Sequence, residues 1–420
     1  MALCVFTRRL SLKAHRAYEQ FATRFEQKRT HPKTVPLSNV IRNPHEEVRL
    51  VLSAPKCRLA PCFRMHVKLL GSFIRPRVSL FRTIVAQQLE YTERGDPPTV
   101  VKLTNHVLSS VRPDEVRYKI MAATINPADI NTIQGIYPIQ PPLPAVGGME
   151  GVMRIEEVGS DVWDIAVGDW AIPLPAGFGT WRTDGIAPRS DVIKISNKLS
   201  IVQAATLAVN PSTAYRMLKD FVDLTPGDVV LQNGANSAVG QLVIQLCRHL
   251  NVSTVNLIRD GKADEKETKD YLGELGADVV LTETEFKRKA RSLFEKLAAP
   301  KLALNCVSGR GIVYMAGCLA PKGKLVTYGG MSKQPLYVST GAFIFKEIQL
   351  HGFWMTSWNR DTANQVKRRK MLDDLTDLSL SGKLKPVKYQ LVPFKEYQDA
   401  LAATTAGHGR KKILVFEWCG

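Results

Sequence analysis

From residue 228 onward, short runs of aliphatic and β-branched residues alternate with segments of helical spacing. The predicted strands are DVVLQN, TVNLIRD, DVVLTE, LALNCV and KLVTYGG, and SAVGQLVIQLCRHL at 237–250 is a predicted helix. Parallel strands need a crossover connection, so this alternation is typical of a parallel sheet covered by helices on both faces. We therefore predict a doubly wound α/β domain in this half of the chain.

The turn between the first of these strands and its helix has the layout of a dinucleotide-binding turn, but it lacks the usual Gly-x-Gly-x-x-Gly pattern. Counting back from Gly240, Ala235 and Ser237 stand where glycines belong. A pyrophosphate needs small side chains and free backbone N–H groups at the positive end of a helix. Ala238 is small, and Asn236 and Ser237 add polar groups, so nucleotide binding is possible. An ordinary βα turn without a ligand stays the alternative.

The end of the next predicted strand indicates which nucleotide would bind. A carboxylate about 20 residues past the turn would hold the free ribose 2′-hydroxyl of NAD(H). An arginine there would instead pair with the 2′-phosphate of NADP(H). Arg259 stands at this place and Asp260 follows it. We expect NADP(H), with Asp260 as the ribose acid in a shifted register as the alternative.

The two ends of the folded part are rich in strand patterns. Residues 99–195 contain short predicted strands between Gly and Pro turns, interrupted by INPADINTIQGIYP, where Asn126-Pro127 predicts a helix start. The tail, beginning YQLVPF, predicts strand, helix and strand. We expect the ends to form one β-rich domain around the α/β domain, with limits at 89–208, 209–384 and 385–420.

The net charge of +18 is unevenly distributed. Residues 1–89 contain 17 Lys and Arg but only four Asp and Glu, so they carry +13. The stretch from Met65 is basic, free of acids before Glu90 and interspersed with apolar residues, which is the composition of a mitochondrial presequence. We predict that residues 1–88 are a targeting or disordered segment and that Met65 is a possible start. The nearly neutral remainder argues against nucleic-acid binding.

Further patterns bear on membranes and metals. No run of 18 apolar residues is present, so no membrane span is expected. The seven cysteines form no C-x-x-C pair and match no zinc spacing with histidine, which fits a reducing compartment. We expect Cys247, Cys306 and Cys318 to be small core residues.

A set of motifs in a consistent order identifies a family resemblance that covers residues 90–420. The motifs are INPADINTIQGIYP, LPAVGGMEGV, NPSTAYRML, PGDVVLQNGANSAVGQ, LALNCV, VTYGGMSKQP and GFWMTSW. Together they resemble the mitochondrial trans-2-enoyl-CoA reductases, a branch of the medium-chain dehydrogenase/reductase superfamily. The resemblance implies a GroES-like catalytic domain around a Rossmann domain, a homodimer, and NADPH-dependent reduction of trans-2-enoyl thioesters on acyl carrier protein or CoA in mitochondrial fatty-acid synthesis.

The resemblance also implies roles for individual residues. Tyr137 matches the proton-donating tyrosine of the family. The positions that match cofactor-binding residues are Asn210, Asn236, Ser237, Ala238, Val239, Arg259, Asp260, Gly261, Tyr328, Gly329, Gly330, Met331, Phe353, Trp354, Met355, Thr356 and Lys411, with Lys412 as a one-residue alternative to the last. Two positions depart from the family pattern: Ala238 replaces a glycine in the turn, and Met149 replaces an asparagine.

The chemistry expected from these residues is reduction of an activated C=C bond. The segment Gly147–Gly151 has no histidine or cysteine where related alcohol dehydrogenases bind zinc, so we expect no catalytic metal. A positioned tyrosine hydroxyl can donate a proton to Cα while a hydride reaches Cβ. On the residues alone, a partly buried aromatic is the favoured interpretation of Tyr137, and the family resemblance reverses this in favour of the proton donor.

Two other functions stay open. One is a zinc-free NADPH quinone or enone oxidoreductase of the same superfamily. The other is a non-catalytic regulator that keeps only the fold, for example a nuclear-receptor or RNA-binding partner, and the +13 segment is its best support.

Overall fold

The computed structural model describes residues 83–407 and 410–416. Most of the predicted targeting segment lies outside these residues. Its last six residues, 83–88, are described: the first strand, β1, spans Val85–Tyr91, and Ala86 within it is fully buried. The predicted boundary at residue 88 therefore falls inside a strand. The acid-free composition that marked the segment continues into β1 as far as Glu90, so composition does not show where this strand begins.

The described chain alternates between a β-rich region and a helix-rich region. The strands are β1, β2 Lys102–Val107, β3 Glu115–Thr124, β4 Ala145–Val146, β5 Gly151–Val158, β6 Trp170–Pro173, β7 Asp184–Pro188, β8 Val192–Ile195, β9 Val229–Gln232, β10 Ser253–Ile258, β11 Val279–Thr282, β12 Leu302–Asn305, β13 Lys324–Thr327, β14 Gln349–Gly352, β15 Tyr389–Pro393 and β16 Lys411–Val415.

The helices connect these strands. They are α1 Pro97–Val100, α2 Pro127–Ile133, α3 Ile201–Ala205, α4 Asn210–Asp220, α5 Ala238–His249, α6 Glu265–Leu275, α7 Glu283–Lys296, α8 Ile312–Cys318, α9 Thr340–Phe345, α10 Met355–Arg360, α11 Gln365–Leu380 and α12 Tyr397–Thr405. Short 3-10 turns lie at Arg189–Asp191, Thr362–Asn364 and Phe394–Glu396. None of the helices in the described part of the chain combines the length and apolar character needed to cross a membrane.

The predicted parallel sheet is present and has six strands in the order β11-β10-β9-β12-β13-β14. Its inner strands are continuous apolar runs because helices cover both faces. The strand order reverses between β9 and β12, so the carboxyl ends of these two strands border a crevice where ligands bind in such sheets. Strand β14 was not predicted, because QLHG has little apolar character and three of its four residues are exposed.

Strands from both ends of the described chain share a second sheet. Its seven strands follow the order β15-β16-β3-β5-β6-β8, and β7 also pairs with β3. Strand β16 runs antiparallel to β3, with Ile413 opposite Thr124. This pairing places Lys411, at the start of β16, beside the end of β3 and the start of α2.

Local signals in the sequence set several of these boundaries. Helix α2 begins at Pro127 after a capping box in which Asn126 and Asp129 satisfy each other's backbone N–H groups. It ends before Gly135, whose φ of 77° favours glycine. Cys247 and Cys306 are buried as expected, whereas Cys318 is only half-buried.

Candidate active site

Tyr137 and Trp354 are in contact, and they come from the two halves of the described chain. Tyr137 follows α2 on the β-rich side, and Trp354 lies between β14 and α10 at the edge of the parallel sheet. The Trp354 indole N–H donates to the Tyr137 hydroxyl oxygen at 2.7 Å, and the rings are perpendicular with centroids 5.8 Å apart. An indole N–H can only donate. The tyrosine oxygen is therefore held as an acceptor, and its own proton remains free for another partner.

The surroundings of Tyr137 act on its acidity in opposite directions. Burial raises the pKa of Tyr137, while hydrogen bonds from Trp354 and Thr356 lower it. The negative charge of Asp129 raises the pKa further. The two donors stabilise the phenolate that would remain after proton transfer, which is the requirement for a general acid.

A network of buried polar groups lies around the ammonium of Lys411. Its Nζ donates to Asn126 Oδ1 at 2.6 Å and lies 3.6 Å from Glu150 Oε2. Both charged side chains are almost completely buried, with 6% and 0% exposed. Lys411 is therefore a buried charge and not a solvated one beside the last strand. Burial lowers the pKa of Lys411, while the charges of Glu150 and Asp129 raise it.

Glu150 connects the two halves of the molecule. Its Oε2 accepts from Thr124 at 2.7 Å and from Asn126 at 2.9 Å. Its Oε1 accepts from the Val209 backbone N–H at 2.7 Å, immediately before α4 begins at Asn210. This one carboxylate thus joins the sheet that carries Lys411 to the first helix of the other half.

Asp129 is a second buried carboxyl in the network. One of its oxygens accepts from the Asn126 N–H at 2.7 Å, and the other has no geometric partner among the described residues. Burial raises the pKa of Asp129 to about 7, although hydrogen bonds from the backbone and the charge of Lys411 lower it. At neutral pH the carboxyl is therefore partly protonated.

The βα turn after β9 presents polar and small groups at the start of α5. Ser237 is the N-cap, and its hydroxyl oxygen accepts from the Gly240 N–H at 3.1 Å. Asn236 is exposed, while Ala238 is the first helical residue. A Cβ on Gly240 would lie 2.5 Å from the Ala235 carbonyl oxygen, so helix and turn pack too closely for any side chain there.

A row of polar side chains lies at the carboxyl ends of three neighbouring strands of the parallel sheet, beside this turn. Asn233 donates to Asn305 at 2.8 Å, and Asn305 donates to Thr327 at 3.1 Å. These residues follow or end β9, β12 and β13, so they line up along the carboxyl edge of the sheet. None of these three residues was predicted as a site residue, although a polar residue closes each of these apolar runs.

The structure places the other proposed cofactor residues at different depths. Val239 and Asn210 are buried, and the side-chain nitrogen of Asn210 has no partner in the described part of the chain. The Tyr328 hydroxyl is enclosed, and its pKa is raised mainly by burial. Gly261, Gly330 and Met331 are exposed, whereas Gly329, Phe353 and Thr356 are intermediate and Met355 is buried.

Comparisons with known proteins extend these observations. The model of the alcohol dehydrogenase GroES-like domain matches residues 112–196, and that of the zinc-binding dehydrogenases matches 238–369. The mitochondrial enoyl-[acyl-carrier-protein] reductase of Homo sapiens is 46% identical over 318 residues, or 75% of this chain and 84% of the human protein. The solved Candida tropicalis Etr1p/Etr2p 2-enoyl thioester reductase heterodimer is 35% identical, with a TM-score of 0.74 over 79% of this chain and 100% of that chain.

A second solved structure shows a ligated relative. It is the Etr1p complex with NADP and crotonyl-CoA, 34% identical with a TM-score of 0.74, and the match covers 79% of this chain and 100% of that chain. A GroES-like domain joined to a Rossmann-type parallel sheet defines the medium-chain dehydrogenase/reductase class, as predicted. Within that class, the chain belongs to the mitochondrial enoyl-[acyl-carrier-protein] reductase family.

The residues present do not fit the zinc ion that the name of one matching model implies. The described residues contain no group of three or more His, Cys, Asp or Glu side chains that could hold a metal. Gly148 offers no ligand, and a Cβ there would lie 2.4 Å from Thr180 and Trp181 atoms. Glu150 is already shared among Thr124, Asn126 and the Val209 backbone.

Proposed function

We propose that this protein reduces trans-2-enoyl thioesters to saturated acyl thioesters with NADPH, in mitochondrial fatty-acid synthesis. The observation that carries the proposal is the 2.7 Å hydrogen bond from the Trp354 N–H to the Tyr137 hydroxyl, which positions a general acid between the two halves of the described chain. Membership of a family whose curated relatives are named mitochondrial enoyl-[acyl-carrier-protein] reductases supports both the reaction and the location.

The cofactor would lie across the crevice at the carboxyl edge of the parallel sheet. The turn from Asn236 to Val239 and the N-terminus of α5 would hold the pyrophosphate, and Arg259 would hold the 2′-phosphate. The unpartnered amide of Asn210 and the buried ammonium of Lys411 would hold the nicotinamide end. The proposed cofactor residues Tyr328 to Met331 and Phe353 to Thr356 follow β13 and β14 at the same edge. When bound, NADPH supplies the hydride that reduces Cβ of the enoyl group.

The protein itself would supply the proton for the reaction. Tyr137 Oη donates its proton to Cα as Cβ receives the hydride, so one C=C π bond is replaced by two C–H bonds. The remaining phenolate is stabilised by the Trp354 N–H and is then protonated from solvent. Each turnover therefore consumes one NADPH and one proton.

We also propose that two copies of the chain associate along β14. This strand is at the open edge of the six-stranded sheet, and Leu350 in it is 41% exposed. The adjacent helix α9 exposes Phe343, Ile344 and Phe345, the last by 86%. An open strand edge beside an exposed apolar patch is typical of a protein interface. The solved Candida tropicalis relative is described as a heterodimer.

A steady-state assay with the purified full chain tests the reaction. We expect NADPH oxidation with crotonyl-CoA and with longer 2-enoyl thioesters, with a saturated acyl thioester as product. Oxidation with a quinone but not with any enoyl thioester would show the quinone or enone reductase instead. No turnover with either, in a protein that still binds NADPH, would favour the non-catalytic regulator.

A further inference from the structure

Two residues of opposite charge, Arg259 and Asp260, directly follow β10. Either the Arg259 guanidinium or the Asp260 carboxylate could meet the adenosine ribose of a bound nucleotide. A carboxylate accepts hydrogen bonds from the free hydroxyls of NADH, but it repels the 2′-phosphate of NADPH. The cofactor preference therefore depends on where the Asp260 carboxylate is held.

The structure shows the Asp260 carboxylate attached to the start of helix α7. Its two oxygens accept from the Thr284 backbone N–H at 3.1 and 3.2 Å. Burial raises the pKa of Asp260, but the hydroxyl of Thr282 and the backbone and hydroxyl of Thr284 lower it more, so the net shift is downward. An anion at a helix N-terminus is also stabilised by the helix dipole. The carboxylate thus has partners within the protein.

Thr282 gives this attachment a fixed geometry. Thr282 is the N-cap of α7, and its side-chain oxygen accepts from the Glu285 N–H at 3.2 Å. The Glu285 carboxylate in turn accepts from the Thr282 N–H at 2.8 Å. The side chain of Thr282 is buried, at 3% exposed. The Thr284 N–H that holds Asp260 therefore lies in a helix start that the capping box of Thr282 and Glu285 fixes.

Arg259 is in the opposite situation. It is exposed and has no hydrogen bond or ion pair with the rest of the described chain. Its charge reaches Glu283, the first residue of α7: burial and the charge of Asp260 raise the pKa of Glu283, and Arg259 lowers it. The guanidinium is thus near the same helix start but available to an external anion.

We infer that Asp260 is a positioning residue: its attachment to the Thr284 N–H at the start of α7 withdraws the carboxylate from the ribose and leaves Arg259 to select the 2′-phosphate. This inference rests on the proposed use of a nicotinamide dinucleotide. It assigns the discrimination between NADPH and NADH to the pairing of β10 with the start of α7, and not to Arg259 alone.

Direct binding of the two nucleotides tests the inference without catalysis. In Thr284→Pro the N–H that holds Asp260 is gone, and a first-turn N–H has no partner within the helix, so α7 loses none of its own bonds. We expect the ratio of NADPH to NADH affinity to fall about fivefold, the size of one unit charge placed near the phosphate in water. Thr284→Ser is the matched control and should keep the ratio of the unmodified protein.

Asp260→Asn separates the two possible roles of the carboxylate. Alone, it should leave NADH affinity within about twofold, because a withdrawn carboxylate does not hold the ribose. Combined with Thr284→Pro, it should restore the ratio of NADPH to NADH affinity to that of the unmodified protein. A tenfold loss of NADH affinity in Asp260→Asn would make Asp260 the ribose acid and overturn the inference. So would an unchanged ratio in Thr284→Pro. If that variant fails to fold, the Asp260→Asn result decides by itself.

The binding measurements also keep this inference apart from the proposed function. If the unmodified protein binds neither nucleotide, the proposed function fails first. If it binds both and the ratio does not respond to release of Asp260, only the positioning role fails.

Discussion

The ammonium of Lys411 lies 2.6 Å from the side-chain oxygen of Asn126, although 285 residues separate the two in sequence. The pairing of β16 with β3 makes this contact, which also brings Lys411 to Glu150. Strand β16 thus supplies the positive charge that the buried carboxylates Glu150 and Asp129 beside the second sheet require.

Replacing Lys411 by methionine should destabilise the protein strongly. The variant leaves Glu150 buried without its cation, and loss of one partner of a buried pair costs about 3 kcal/mol in the free energy of unfolding. Urea unfolding measures this, and Lys411→Met with Glu150→Gln should recover part of the loss. Lys412→Met is the matched control, because Lys412 bonds Gln390 at the surface. Equal effects of the two methionine variants would contradict the assignment of Lys411 to the network.

Tyr137→Phe should lower kcat for 2-enoyl thioesters by roughly 10²- to 10⁴-fold, the usual contribution of a positioned general acid. The ring remains in place, so KM and NADPH affinity should change little. Steady-state kinetics with crotonyl-CoA measures both parameters. Undiminished kcat would remove Tyr137 from the reaction.

Trp354→Phe should affect the acidity of Tyr137 while keeping an aromatic ring at the cleft. The Trp354 N–H lowers the pKa of Tyr137, so its removal should raise that pKa and weaken the acid. A general acid acts only while protonated. The alkaline limb of the plot of log kcat against pH should therefore move to higher pH, with kcat at neutral pH lower by about tenfold. Trp358→Phe, whose ring packs against Arg216, should leave the profile in place.

The stability of the protein should depend on pH through Asp129. The pKa of this carboxyl is about 7 in the folded protein, against an ordinary value of 3.8. The folded state therefore binds the proton more tightly than the unfolded state does. This contribution is fully present below about pH 4 and is lost as the pH rises to about 7.

Thermal or urea unfolding between these pH values measures the contribution. Asp129→Asn keeps the acceptor that caps α2 but cannot ionise, so its free energy of unfolding should fall less as the pH rises. Identical pH dependence in the two proteins would show that Asp129 does not titrate in this range.

Charges on the exposed face of α9 and β14 should dissociate a dimer formed there. Phe345→Lys together with Leu350→Lys places positive charge at the proposed contact from both copies. Sedimentation at several concentrations should show a dimer for the unmodified protein and a monomer for the variant. Trp163→Lys is the control, because Trp163 is 90% exposed on the loop between β5 and β6. A dimer that persists in the double variant would place the interface elsewhere.

Most of the parallel sheet could be predicted, because a strand covered on both faces is a continuous apolar run. The exception, β14, is at the edge, where exposure removes that requirement. The buried network could not be predicted, because Lys411 and Lys412 are equivalent in the sequence. Only the register of β16 against its neighbours turns Lys411 inward to Asn126 and Lys412 outward to Gln390.

The position of the Asp260 carboxylate at the end of β10 could not be predicted from the sequence either. The sequence indicates that Arg259 and Asp260 are adjacent but not which of them faces a ligand. The contact that places Asp260 is a hydrogen bond from the backbone N–H of Thr284. Because every residue except proline has a backbone N–H, the sequence does not reveal which one will be the donor. Tyr137, in contrast, was found because its family motif is local.

The hydrogen bond that the Val209 backbone N–H donates to Glu150 has a consequence for which substitutions the two positions tolerate. Position 209 can vary among all residues except proline without losing the contact, whereas position 150 must keep its carboxylate. A nucleotide-binding half taken from a distant homologue would therefore already carry the required donor. For this one contact, an exchanged half therefore needs a matching side chain on one side only, because the donor on the other side is part of every main chain except proline.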